Sequence, residues 1–185
     1  MLVKTYCAAV NGMEVTTITV EVNVTRGVMY HLTGLGDSAV KEGKDRIAAA
    51  LQNNGYKFPI ADLTINLAPA DLRKEGSSFD LPLAIGILAA SGGIESHCLD
   101  QYMMVGELSL DGHLQPIKGA LPIAIRARAE KFQKLTAVAR RCHFVRLRFH
   151  LVFLLVSFGL RTSDALERRT TFSKDRAKVS RTRVR

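Results

Sequence analysis

Most of the features that would mark this chain as secreted, membrane-spanning or nucleotide-hydrolysing are missing from it. Its three cysteines, Cys7, Cys98 and Cys142, cannot all pair, and no Cys-x-x-Cys occurs. Neither a disulfide framework nor a zinc knuckle is supported, and a reducing, cytoplasmic setting fits. The opening residues Met1-Leu2-Val3-Lys4-Thr5-Tyr6 lack the apolar core of a secretory signal. The longest apolar run, residues 149–160, has 12 residues, is interrupted by His150 and Ser157, and follows Arg146 and Arg148. It is too short to span a bilayer, so no membrane partner is expected. The phosphate-cradling G-x-x-x-x-G-K-[ST] is absent too: Gly43-Lys44 is followed by Asp45, and Ser38 stands where its first glycine belongs. Without that loop the chain on its own is expected neither to bind nor to hydrolyse ATP.

What is present divides into two parts. The chain has 185 residues and a formal charge of +9, yet residues 1–132 hold 12 basic and 14 acidic side chains, and residues 133–185 hold 14 basic and 3 acidic. The basicity belongs wholly to the second part. One domain over 1–132 with a tail over 133–185 is therefore expected. The tail keeps no period of 2 or 3.6. Two readings compete for it: a nucleic-acid or membrane segment, or an irregular out-of-frame extension that selection never shaped. Its aperiodic Arg/Phe/Ser-rich composition favours the second.

Within 1–132 the hydrophobic periodicity is legible. Residues 15–24 alternate, with Ile18, Val20, Val22 and Val24 on one face and Thr17, Thr19, Glu21 and Asn23 on the other. Thr25-Arg26-Gly27 then predicts a turn into a second strand, residues 28–32, closing a hairpin. A helix follows, capped by Asp37 or Ser38 and striped with Val40, Ile47, Ala48 and Leu51, until Asn54-Gly55 stops it. Residues 63–68 alternate again. After a polar loop at 69–79, residues 81–90 are apolar on nearly every side, which predicts a buried helix with Asp80 as N-cap. Residues 103–107 and 108–114 supply strands around an Asp111-Gly112 turn, and a last helix runs over 120–132. The order ββαβαββα predicts an α/β (α+β) sandwich with a mixed sheet.

Few residues offer chemistry. Gly34-Leu35-Gly36-Asp37-Ser38-Ala39 fits G-x-G-x-x-A, but a hairpin strand before it and no acidic residue about 20 positions on argue for a tight turn instead of a dinucleotide site. His97-Cys98 and Cys142-His143 are adjacent pairs with poor zinc geometry, so no metal is expected. Arg73 and Lys74 beside Glu75 offer a phosphate contact, but an isolated pair of charges reads as a solvated loop. Ser77 and Ser78 read as satisfying main-chain groups at the helix entrance unless a base stands near them.

The segments Asp71 to Gly93 and Gly106-Glu107-Leu108-Ser109-Leu110-Asp111-Gly112 to Gly119, in this order, resemble a Lon-protease-like domain. Together with Ile18-Thr19-Val20-Glu21-Val22, Gly36-Asp37-Ser38-Ala39-Val40-Lys41-Glu42, Asn53-Asn54-Gly55-Tyr56, Ala68-Pro69-Ala70-Asp71 and Phe79-Asp80-Leu81-Pro82, they resemble the N-terminal domain of the magnesium-chelatase-like ComM/YifB family. The resemblance ends abruptly near Phe132, where a linker and a P-loop module would follow. It implies an AAA+ ATPase module and a homo-oligomer as partners in the complete family protein, with ATP and magnesium as that module's cofactors and a helicase role on DNA recombination intermediates in bacteria. For this chain it implies a non-catalytic accessory domain. It also places Ser78 at the Lon nucleophile position and Leu121 where the base lysine would stand, with Lys118 three residues away. A cryptic Ser/Lys peptidase built on Ser78 and Lys118 is thus one alternative, and a DNA-binding module driven by the basic tail is another.

Overall fold

The computed structural model describes residues 1–12 and 14–137. The apolar run at 149–160, the Cys142-His143 pair and the irregular tail beyond 137 lie outside the described residues. The chain starts with a strand that its pattern did not announce, β1 (Leu2–Asn11), which turns at Gly12 (φ +62°) into β2 (Glu14–Thr25). They pair antiparallel from Leu2↔Asn23 to Asn11↔Glu14. β1 hides from pattern reading because both of its faces are partly covered: Val3, Thr5 and Cys7 are buried on one side and Ala8 on the other.

This pairing corrects the hairpin expected between residues 15–24 and 28–32. A strand does follow, β3 (Tyr30–Thr33), but it pairs parallel with β4 (Asp62–Ala68), and β4 takes the place beside β2. Gly27, at φ +147°, lies against the Asp62 side chain, and the Met29 N–H donates to that carboxylate at 2.7 Å. The loop is thereby tied to the start of β4 and steps over one strand position. Helix α1 (Ser38–Asn53) makes the crossover, so β3–α1–β4 is a parallel βαβ unit.

Asp37 is the α1 cap, its carboxylate accepting from the Val40 N–H at 2.9 Å. Val40, Ile47 and Leu51 form the buried stripe with Gly43 and Ala50, while Ala48 is half-exposed. Helix α2 (Asp80–Ala90) is buried along its whole length, as its all-round apolarity requires. Full burial of a side chain such as Leu83 or Ile87 contributes about 1.5–3 kcal/mol. The helix crosses the sheet closely because Gly86 has no Cβ: one built there would stand 2.8 Å from Val22.

The second half yields short strands, β5 (Tyr102–Met104), β6 (Glu107–Leu108) and β7 (Leu114–Gln115), then helix α3 (Ala120–Ala129) and strand β8 (Lys134–Thr136). The six-stranded sheet runs β3-β4-β2-β1-β5-β8, and β6-β7 form a separate antiparallel pair around the expected Asp111-Gly112 turn. The mixed α/β sandwich stands as expected. The order ββαβαββα needs three additions: β1 at the start, β8 at the end, and a break that separates β5 from the β6-β7 hairpin. β8 pairs parallel with β5 through Met103↔Leu135, so the sheet runs past the boundary expected at Phe132.

Candidate functional site

The polar loop between β4 and α2 meets α1 and the β6-β7 hairpin at one place. Its anchor is Lys74. Far from being solvated as expected, this side chain is fully buried and donates to the Pro69 carbonyl inside its own loop, and burial pushes its ammonium below the ordinary lysine range. Arg73 and Glu75 beside it do form an exposed ion pair at 3.1 Å. The main chain of Lys74 bridges the turn before α1: its N–H donates to Leu35 at 3.1 Å and its carbonyl accepts from Asp37 at 3.0 Å.

That bridge bears on the Gly34–Ala39 segment. The βαβ unit exists after all, so the hairpin objection to a dinucleotide site fails, but the helix terminus is already filled. The Asp37 carboxylate accepts from Val40 and, at 3.1 Å, from the Gly76 N–H. A carboxylate in the position where a phosphate would bind repels one. Gly34, at φ +94°, lies directly against the Leu67 main chain, the close strand approach expected of it.

After Gly76 (φ +83°) the loop tightens into a 3₁₀ turn, Ser77–Phe79, that buries Phe79 and leads into α2. Asp80 is not the N-cap the sequence suggested: it is the first helical residue, Phe79 precedes it, and no side chain caps the turn. Its fully buried carboxylate turns instead toward α1, where Arg46 grips it with Nε at 2.8 Å and Nη2 at 3.0 Å, and the Leu108 N–H adds a bond at 3.3 Å. Arg46 also donates to the Ala39 carbonyl at 2.9 Å. Burial pushes the Asp80 carboxyl up from its ordinary range against the pull of this guanidinium. Next to the pair, the Ser77 hydroxyl donates to Glu107. Arg46 and Glu107 open on a cleft of about 400 Å³ floored by the hairpin residues Leu108, Ser109, Leu110, Gln115 and Pro116. Asn53 and Asn54 at the end of α1 clamp that hairpin through the Leu110 and Asp111 carbonyls at 2.7 and 2.9 Å.

Ser78 sits one residue past this cluster. Its carbonyl accepts from the Gly106 N–H at 2.8 Å and faces the buried Cys7 thiol at 4.0 Å, which burial pushes up to about 12. Among the described residues no hydrogen bond or ion pair joins Ser78 to a lysine or histidine. Lys118 is exposed in the turn before α3, and Leu121 on α3 is 72% exposed. The structure therefore brings together Ser77, Asp80, Arg46 and Glu107, and leaves Lys118 outside that group. His97 lies 3.3 Å from Glu95, and no group of three or more metal-ligating side chains converges among the described residues.

Two members of this cluster, Arg46 and Glu107, carry no chemical motif in the sequence. The available signal was a charge inside an apolar pattern: Arg46 lies between Gly43, Ile47 and Ala50 of the buried stripe.

Comparison with known proteins finds a matching family and several relatives. The family model for subunit ChlI of magnesium chelatase matches residues 20–140. YifB of Escherichia coli is 46% identical over 117 residues, covering 63% of this chain and 23% of YifB. Competence protein ComM of Haemophilus influenzae is 42% identical over 133 residues, 71% of this chain and 26% of ComM. YifB of Salmonella typhimurium is 44% identical over 117 residues, 63% of this chain and 23% of its own. The chain spans about a quarter of the length of these curated relatives. With a family model covering most of the sheet and all three helices, this chain belongs to the family of the magnesium-chelatase subunit ChlI and, within it, to the group of ComM and YifB.

Proposed function

We propose that this chain acts as a non-catalytic accessory domain of a ComM-like AAA+ ATPase. The observation that carries the reading is the environment of Ser78. A serine attacks only when a base takes its proton, and here the loop's own lysine, Lys74, is buried on the Pro69 carbonyl, while the Lon resemblance puts the exposed Leu121 where its base lysine would stand. What the loop does instead is mechanical: it ties α1, α2 and the β6-β7 hairpin through Asp37, Ser77 and Asp80.

On this reading ATP and magnesium belong to an ATPase module that works beside this domain. Further copies and DNA belong to the assembled protein, whose place is the cytoplasm. The likeness to a competence protein supports DNA recombination as that protein's task. The test uses the purified chain. Casein-type substrates should survive incubation with the parent and with Ser78→Ala alike, and calorimetry should detect no micromolar ATP binding. Hydrolysis present in the parent and lost in Ser78→Ala, or micromolar ATP affinity, would overturn the reading.

A further inference from the structure

One edge of the six-stranded sheet is β3, and among the described residues no strand pairs with its outer side. In a parallel ladder, alternate residues direct both main-chain groups toward the same neighbour. The Met29 carbonyl accepts from the Leu63 N–H at 2.8 Å, so His31 and Thr33 face β4 as well, and Tyr30 and Leu32 present their N–H and C=O outward. Among the described residues no main-chain hydrogen bond reaches those outward groups.

Sheet edges are commonly blunted by lysine, proline or a bulge, because an open edge templates strand addition. β3 carries none of these. Apolar side chains flank it instead: Val28 is 77% exposed, Ile60 next to the start of β4 is 91% exposed, and Met29 and Leu35 are exposed at either end. The last described strand, β8, forms the opposite edge, five strand spacings of about 4.8 Å away, so the chain leaving it starts far from β3.

We infer that β3 pairs with β3 of a second copy of this chain, antiparallel about a two-fold axis through His31. The register follows from which groups point outward. Centred on His31, Tyr30 stands opposite Leu32 of the other copy, and the reverse, so both outward residues of both copies exchange four hydrogen bonds. Centring on Tyr30 or Leu32 pairs only one outward residue of each copy and yields two. The His31 register also sets Met29 opposite Thr33 and brings Val28 over the Gly34-Leu35 turn of the other copy, covering the apolar rim. A second copy satisfies the edge because the same four main-chain groups serve as both donors and acceptors. The contact is short and falls below the roughly 1,200 Å² of a stable interface, so the association is weak and depends on concentration.

The register makes a specific demand on crosslinking. Across the axis the two His31 positions form a non-hydrogen-bonded pair with Cα atoms about 4.5 Å apart, inside the roughly 4.4–6.8 Å range of a disulfide. The two Thr33 positions are offset by four residues, about 13 Å along the strand. In the full chain under mild oxidation, His31→Cys should give a covalent dimer whose linkage maps to position 31, while Thr33→Cys should remain at the level of the parent. Sedimentation equilibrium should show a dimer that His31→Lys weakens about two- to fivefold, since it sets like charges opposite each other on an exposed site and leaves the thermal melt unchanged. Equal crosslinking at 31 and 33, a parent that stays monomeric at the highest soluble concentration, or a dimer indifferent to His31→Lys would each overturn the inference.

Discussion

Replacing Arg46 by Met should unfold this protein more readily than any surface change, and should do so in a pH-dependent way. The Asp80 carboxylate is fully buried and Arg46 supplies two of its three hydrogen bonds, at 2.8 and 3.0 Å; the remaining one, from Leu108, is 3.3 Å long. Methionine keeps the apolar stem of arginine and removes the charge. What is left is a buried carboxylate with one weak donor, a condition that costs about 3–5 kcal/mol. That is a large part of the roughly 5–15 kcal/mol that holds a domain together, and in urea it moves the midpoint down by about 2 M. Burial already raises the Asp80 carboxyl, and losing Arg46 raises it further. A carboxyl whose folded value lies above its unfolded one contributes stability that is complete at acid pH and is lost as pH rises through the folded value. The deficit of Arg46→Met should therefore be greatest near neutrality and shrink toward pH 5. Urea unfolding at pH 7 and pH 5, with Arg46→Met/Asp80→Asn recovering part of the loss, checks both magnitude and sign. Should the single variant prove too unstable to study, Arg46→Lys, which keeps the charge and loses the fork, should fall between it and the parent. A loss below about 1 kcal/mol with no pH dependence would mean the pair behaves as an exposed salt bridge, and the reasoning would be wrong.

Three further outcomes follow from the same packing. Gly43→Ala should destabilise the protein by about 1–3 kcal/mol in denaturant melts although alanine is the better helix former, because its Cβ would stand 2.6 Å from the Asp80 carboxylate; a stabilised variant would refute the contact. Cys7, buried with its thiol pushed up to about 12, should resist iodoacetamide at pH 8 in the folded protein and react on unfolding, which mass mapping of the alkylated peptide would read directly. Burial holds Lys74 below the ordinary lysine range, so its unfolded form binds the proton more readily and stability rises with pH. The parent should accordingly gain on Lys74→Met as pH climbs from 7 to 10, and a constant difference between the two would contradict the burial.

The sequence by itself determined those elements whose side chains have a single choice of environment. Residues 81–90 are apolar all round, so α2 can only be buried. Residues 18–24 alternate without a break, so Ile18, Val20 and Val22 of β2 share one buried face. Asp37 caps α1 because the bond it makes to Val40 is local. The likeness to the ComM and YifB group could likewise be read from short strings of residues, and the family match agrees.

Tertiary structure alone decided what depends on distant partners. Strand order is one such matter: nothing in residues 28–33 says that they will lie beside β4 instead of β2, since that follows from Gly27 and Met29 meeting Asp62, more than thirty positions away. β8 is another, because three residues of mixed character become a strand only when β5 offers them an edge. The candidate site is the clearest case. Asp80, read locally, is a helix cap, since aspartate before an apolar helix satisfies free N–H groups at little cost. In the fold a guanidinium from α1 reaches it first, and a charge-assisted fork in a dry place outweighs a solvated cap. Lys74 likewise carries the sequence signature of a solvated loop residue, and becomes buried because the loop closes over it and hands it the Pro69 carbonyl. Periodicity reports which face of an element is dry; only the assembled fold sets which charge stands opposite which.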